Sequence, residues 1–171
     1  PFLFGEKSKN LLFSSFDDES TAEIIYPSKG FKKLNKQNQI LVQNAQTDPK
    51  LQYKVGVYLI EGKNDFPLNT DLGIRYLEKS IENGSVDSTI YYSNMLIDAE
   101  IVPRNLNKAK RILKQHIKSN NITVQYLYGK AKKKEGDYKR AFQIFENCCK
   151  AGHVESEYEY AFIGFLEAEG W

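Results

Sequence analysis

The 171-residue chain carries 24 Lys and Arg against 22 Asp and Glu, a net charge of +2, with 41% hydrophobic and 27% charged residues. These are ordinary globular proportions, sufficient for one domain or one elongated array, and no apolar run approaches the roughly 18 residues that a membrane-spanning helix needs. The opening "PFLF" is too short and too weakly flanked for a signal peptide, and a chain that begins at Pro1 reads as a fragment or a processed product.

In chain order, residues 1–30 mix aromatic pairs with turn residues and predict an irregular cap or linker. Within them, Asp17, Asp18 and Glu19 lack the alternating spacing and the Gly of a calcium loop, and read as a helix start or a solvated turn. The stretch "FKKLNKQNQILVQNAQTD" (31–48) predicts one further helix with Ile40 and Leu41 buried.

Beyond it the chain repeats itself. Asn69, Asn105 and Asp137 stand at intervals of 36 and 32, each followed by a small residue (Gly73, Ala109, Ala141) and then by Gly84, Asn120 or Gly152. Asn and Asp accept from the free N–H groups of a first helical turn, and Gly and Asn tolerate the left-handed conformation past the last turn, so these columns predict helix starts and stops. Between them Tyr76, Leu77 and Ile81, then Ile112, Leu113 and Ile117, then Ile144, Phe145 and Cys149 form an apolar stripe.

A first helix precedes each of these second helices. Tyr53 and Gly56 in "LQYKVGVYLIEG" align with Ile90 and Ser93 in "STIYYSNMLIDAE", Tyr126 and Gly129 in "VQYLYGKAKKKEG", and Tyr158 and Ala161 in "SEYEYAFIGFLEAEG". The column Gly56, Ser93, Gly129, Ala161 is uniformly small, which predicts the place where paired helices cross. Two helices per period of 32 to 37 residues predict an all-α fold, an α-α superhelix or solenoid of antiparallel helix pairs.

The segments "YKVGVYLIEGKNDFPLNTDLGIRYLEKSIENGS" and "VPRNLNKAKRILKQHIKSNN" resemble Sel1-like repeats, and the resemblance runs over about residues 47–171. In that pattern a small residue sits in the first helix, an Asn or Asp precedes Lys-Ala, and a Gly follows the second helix. The chain departs from it where Lys63, Asn64 and Asp65 follow Gly62 without a second turn Gly. It departs again where Gly73 replaces the Ala of the second helix and where "KKKEGDYKRA" is shortened toward the related tetratricopeptide form. The expected organisation is a cap or linker over 1–30 and a repeat array over 31–171, about three repeats plus a terminal helix. The resemblance implies a non-catalytic scaffold or adaptor that holds other proteins.

The residues themselves offer no catalytic, metal or cofactor site. "GVYLIEGKN" has five residues between its glycines and ends in Asn where a phosphate loop needs Ser or Thr, and it lies in a predicted helix. His116 and His153 lack partners at metal-ligand spacing. Cys148 and Cys149 are adjacent, cannot staple distant parts of the chain, and point to a reducing compartment, hence an expected cytoplasmic location. The sequons at Asn83 and Asn121 carry no weight toward secretion.

Two surfaces remain as candidates. Helix-pair solenoids commonly bind along the concave face lined by first helices, which here selects Tyr53, Lys54 and Val57; Ile90, Tyr91 and Asn94; Tyr126, Leu127 and Lys130; and Tyr158, Glu159 and Phe162. Tyr is common where proteins recognise one another, so the expected partner is a protein or peptide, although the same rings also suit packing between repeats. Residues 103–140 hold 12 Lys and Arg against Glu135 and Asp137. Lys108, Lys110, Arg111, Lys114 and Lys118 with Lys132, Lys133 and Lys134 form a basic patch that suits a nucleic acid or another polyanion, the alternative reading, or else a solvated helix face. A regulatory repeat region of a larger enzyme is a third alternative. The last predicted helix shows Tyr158, Tyr160, Phe162, Phe165 and Leu166 with no second helix after it, which predicts further repeats or self-association.

Overall fold

The computed structural model describes residues 26–170, and over them the chain is helical and contains no strand. The helices are α1 (Ser28–Phe31), α2 (Lys36–Asn44), α3 (Pro49–Glu61), α4 (Thr70–Glu82), α5 (Val86–Asp98), α6 (Leu106–Lys114), α7 (Ile122–Lys134), α8 (Tyr138–Lys150) and α9 (Val154–Ala168), with a 3-10 turn at Ile117–Ser119. The chain divides into two compact units at Gly84 and Ser85. The acidic run at 17–19 and most of the expected cap at 1–30 lie outside the described residues.

The start and stop columns are realised as hydrogen bonds and dihedral angles. Asn69 accepts from Leu72 N–H at 3.1 Å, Asn105 from Lys108 N–H at 2.9 Å and Asp137 from Arg140 N–H at 3.2 Å. Each bond satisfies a first-turn donor that would otherwise go unpaired, worth about 1 kcal/mol. Gly84, Asn120 and Gly152 have φ of +87°, +55° and +84°, the left-handed conformation that ends the helical ladder. The first helices are capped the same way by Asp48, Ser85 and Asn121.

In the first unit α3 and α4 pack as a pair and α2 lies against α3. Their core holds Val42, Val55, Leu59, Leu72 and Tyr76, closed at one end by Tyr26, whose ring meets Phe66 at 6.5 Å. The pair crosses at two glycines. A Cβ on Gly73 would lie 2.8 Å from the Gly56 carbonyl oxygen and 2.6 Å from Ile60 Cγ1, so Gly73 stands where the repeat pattern has Ala because this crossing is closer than a methyl group permits.

The phase of α2 differs from expectation. Ile40 is 56% exposed and Leu41 half-buried, while Asn38, Val42 and Ala45 turn inward. A polar residue holds the inner position because Asn38 Nδ2 donates to the Asn64 carbonyl at 2.7 Å, satisfying an acceptor in the turn after α3.

In the second unit α5 pairs with α6, α7 with α8, and α9 packs on α8; α7 also touches α5 and α6. Ser93 is fully buried, and a Cβ on Gly129 would meet Phe145 Cε1 at 2.7 Å, so both mark helix crossings as the small column predicts. Ala161 does not: it is exposed. The second-helix stripes hold for Ile112, Leu113 and Phe145 but shift at the far ends. The α-helix stops at Lys114, which leaves Ile117 in the 3-10 turn, and Cys148 rather than Cys149 is buried. The linkers between paired helices shorten from 62–69 and 99–105 to 135–137, which accounts for the shorter third period.

Candidate functional site

In the first unit Lys54 is exposed on α3, with its Nζ 5.8 Å from the Tyr58 ring centre, and Tyr53 and Val57 are half-buried. Lys54 and Tyr58 help line an open recess of about 410 Å³ with Asn35, Gln37, Asn38, Leu41, Asn64 and Asp65.

The second unit joins its candidates into one face. Lys130 Nζ donates to Asn94 Oδ1 at 3.3 Å and to Asp98 Oδ2 at 2.9 Å, tying α7 to α5. Lys133 pairs with Glu159, and its Nζ lies 4.8 Å from the Phe162 ring centre, tying α7 to α9. Between these contacts Lys130 also lies over the Tyr126 ring at 5.9 Å, and the Tyr158 and Phe162 rings stack at 6.4 Å. Burial pushes the Tyr126 hydroxyl pKa up, and the negative charges of Glu159, Glu155 and Asp98 push it further, so the ring presents a neutral hydroxyl. Ile90 and Tyr91 are half-buried on α5. Leu127 is 3% exposed and belongs to the core, because its direction on α7 is that of Val124 and Ala131.

Sequence reasoning placed Asn94, Lys130 and Glu159 on this face but missed Asp98. Asn94 and Lys130 stand one repeat apart, and Asp98 follows Asn94 by one helical turn, so an acid one turn beyond a repeat-matched position was the available signal.

The basic residues separate into two groups. Glu135 accepts from both Lys110 and Lys132, the latter at 2.8 Å, and Lys132 also reaches Asp137 at 3.2 Å. Burial alone would raise the Glu135 carboxyl pKa, but the hydrogen bonds from Lys110 and Lys132 outweigh it and hold the group below its ordinary range. Lys108 lies over the Tyr92 ring at 5.1 Å. Arg111, Lys114, Lys118 and Lys134 are the exposed members.

His153 has closer partners than its sequence neighbourhood implied. Its Nδ1 is 2.9 Å from Ser156 Oγ, its Nε2 is 3.6 Å from Glu155, and its ring packs on Tyr126 at 4.6 Å. The order Ser, His, Glu has the look of a nucleophile and its base, yet Ser156 is fully buried beside Cys148, whose thiol pKa burial raises. The His153–Ser156 contact lies in the first turn of α9.

No protein-family model and no curated protein matches the chain. Among solved structures it is similar to the crystal structure of a Sel1 repeat protein from Oxalobacter formigenes, with a TM-score of 0.60 and 17% sequence identity, over 74% of this chain and 98% of that one. The likeness establishes the fold: an all-α array of antiparallel helix pairs of the Sel1-like, tetratricopeptide-related class.

Proposed function

We propose that this chain is a non-catalytic scaffold that binds a segment of a protein partner along the first-helix face of its second unit. The observation that carries this reading is the join from Asn94 and Asp98 through Lys130 and Tyr126 to Lys133, Glu159 and Phe162, which links three first helices into one polar and aromatic surface. Side chains held by neighbouring helices lose little entropy on binding, and a ring with a neutral hydroxyl offers area and a hydrogen bond together. Selection of peptides from a displayed library against the chain tests it. Binders should lose affinity when Asn94→Ala and Lys130→Ala are combined, with helical circular dichroism unchanged. Binders indifferent to that pair would overturn the reading.

The basic-patch alternative rests on the exposed Arg111, Lys114, Lys118 and Lys134. It ranks second because Lys110, Lys132 and Lys133 are engaged with Glu135, Asp137 and Glu159, which lowers the charge available to phosphates. A labelled oligonucleotide that bound with a steep salt dependence, and lost affinity on Arg111→Ala and Lys114→Ala, would reverse the ranking.

A further inference from the structure

Asn83 closes α4 and is followed by Gly84, and no other Asn in the chain precedes a Gly. That dipeptide is a labile setting for an asparagine, because the following residue has no side chain to keep its N–H away from the carboxamide carbon. Both residues are exposed, and a Cβ on Gly84 would meet nothing within 4 Å, so water reaches the junction. The fold nevertheless ties both reacting groups. Gly84 N–H donates to the Ile81 carbonyl at 2.9 Å, and Asn83 Nδ2 donates to Gln52 Oε1 at 3.0 Å.

Gln52 is the inner partner of this arrangement. It stands on α3, is only 1% exposed, and uses its other group on the turn before that helix, where Nε2 donates to the Gln46 carbonyl at 3.3 Å. A carboxylate at position 83 has no N–H to give, so Gln52 Oε1 would face another acceptor. Turning the Gln52 carboxamide over would answer the carboxylate but set Oε1 against the Gln46 carbonyl. One buried polar group is therefore left unpaired in either orientation. The new charge would also lie at the C-terminal end of α4, where the helix dipole disfavours an anion, and next to Glu82.

We propose that Asn83-Gly84 is a spontaneous modification site, gated by Gln52, at which deamidation loosens α4 from α3. Local opening frees both groups. The Gly84 nitrogen, its proton taken up by hydroxide, then attacks Asn83 Cγ; the bond from Cγ to Nδ2 breaks, ammonia leaves and a five-membered imide remains. Water adds to either imide carbonyl and opens the ring, giving an aspartyl or an isoaspartyl residue. Nothing is oxidised or reduced, and the loss of ammonia makes the conversion one-way. The site belongs to the first unit and does not rest on the binding role given to the second.

The test incubates the 171-residue chain at mildly alkaline pH, in buffer and in unfolding urea. Peptide mass spectrometry reads the change from amide to acid at each Asn, and a protein isoaspartyl methyltransferase labels the isoaspartyl product. Asn83 should lead every other Asn, at a rate at least about tenfold higher in urea than in buffer. Gln52→Met, which keeps the length of the side chain and removes the acceptor, should speed the folded-state reaction at least about threefold. Ala141→Gly, which weakens the second unit, should leave it unchanged. Should Gln52→Met lose its helical circular dichroism, the product side carries the test. Asn83→Asp should lower the urea midpoint further than Asn83→Ser, which removes the same amide without adding charge. Equal rates in buffer and urea, another Asn in the lead, a folded Gln52→Met no faster than the parent, an equal acceleration by Ala141→Gly, or Asn83→Asp as stable as Asn83→Ser would each overturn the proposal.

Discussion

Gly56 and Gly73 meet backbone to backbone: a Cβ on Gly73 would stand 2.8 Å from the Gly56 carbonyl oxygen, too close for carbon and oxygen. A rotamer change cannot relieve that contact, because the obstacle is main chain. Gly73→Ala gains about 1 kcal/mol of intrinsic helix propensity. Forcing the crossing apart costs about 1–3 kcal/mol. The expected net effect is a loss of stability, read as a lower urea midpoint. Ala141→Gly, where a methyl group is already fully buried, should also destabilise, by about 1 kcal/mol. A higher midpoint for Gly73→Ala would mean that α3 and α4 separate more easily than their crossing implies.

Ala99 ends α5 with φ 58° and ψ 35°, the conformation that Gly62 takes at the end of α3. A Cβ in the left-handed region costs about 1–2 kcal/mol. Part of that cost is recovered on substitution, since Gly brings its own unfolded-state entropy of about 0.5–1 kcal/mol. Ala99→Gly should therefore stabilise the chain by about 0.5 kcal/mol, a small rise in melting temperature measured by differential scanning calorimetry.

The caps were legible in the sequence because capping is local chemistry: Asn69, Asn105 and Asp137 need only the two or three residues that follow them. Features set by a neighbouring helix were less so. Ile40 faces outward because Asn38 answers the Asn64 carbonyl, a group 26 residues away. Leu127 differs from its neighbour Tyr126 by one step of helix rotation, enough to move it from the face to the core. Ala161 fits the small-residue column yet is exposed, since composition marks a position that can accept a crossing without stating what occupies it.

Acid should weaken the second unit through Glu135 and Asp137. The Glu135 carboxyl is held below its ordinary value of 4.5, where the hydrogen bonds from Lys110 and Lys132 overcome burial, and Asp137 is held below 3.8, first by the Arg140 N–H and then by Lys132. The unfolded chain therefore binds more protons at these groups near pH 4. Their contribution is complete above the ordinary values and is lost as pH falls through the lower folded ones. Lys132, whose pKa is raised by its bond to Glu135, stays charged throughout this window. Urea midpoints taken from pH 7 downward should fall below about pH 5, and Glu135→Gln should flatten that fall. A variant as acid-sensitive as the parent would place the decisive carboxylates elsewhere.

Lys130 and Asp98 hold α7 to α5 at 2.9 Å with side chains only 16% and 25% exposed. Exposed pairs couple by about 0.2–1 kcal/mol, and partial burial with the added Asn94 contact places this one at the upper end of that range. A double-mutant cycle of Lys130→Met and Asp98→Asn should yield a coupling of about 1 kcal/mol, reduced but not removed at 1 M salt because the pair is partly shielded from solvent. The same cycle measured with a bound peptide distinguishes two roles for the pair. A coupling unchanged by the peptide means that the ion pair fixes the spacing of the first helices and the ligand takes the surface as it stands. A coupling that falls means that the peptide competes for Lys130, and the ammonium is then part of the recognition surface itself.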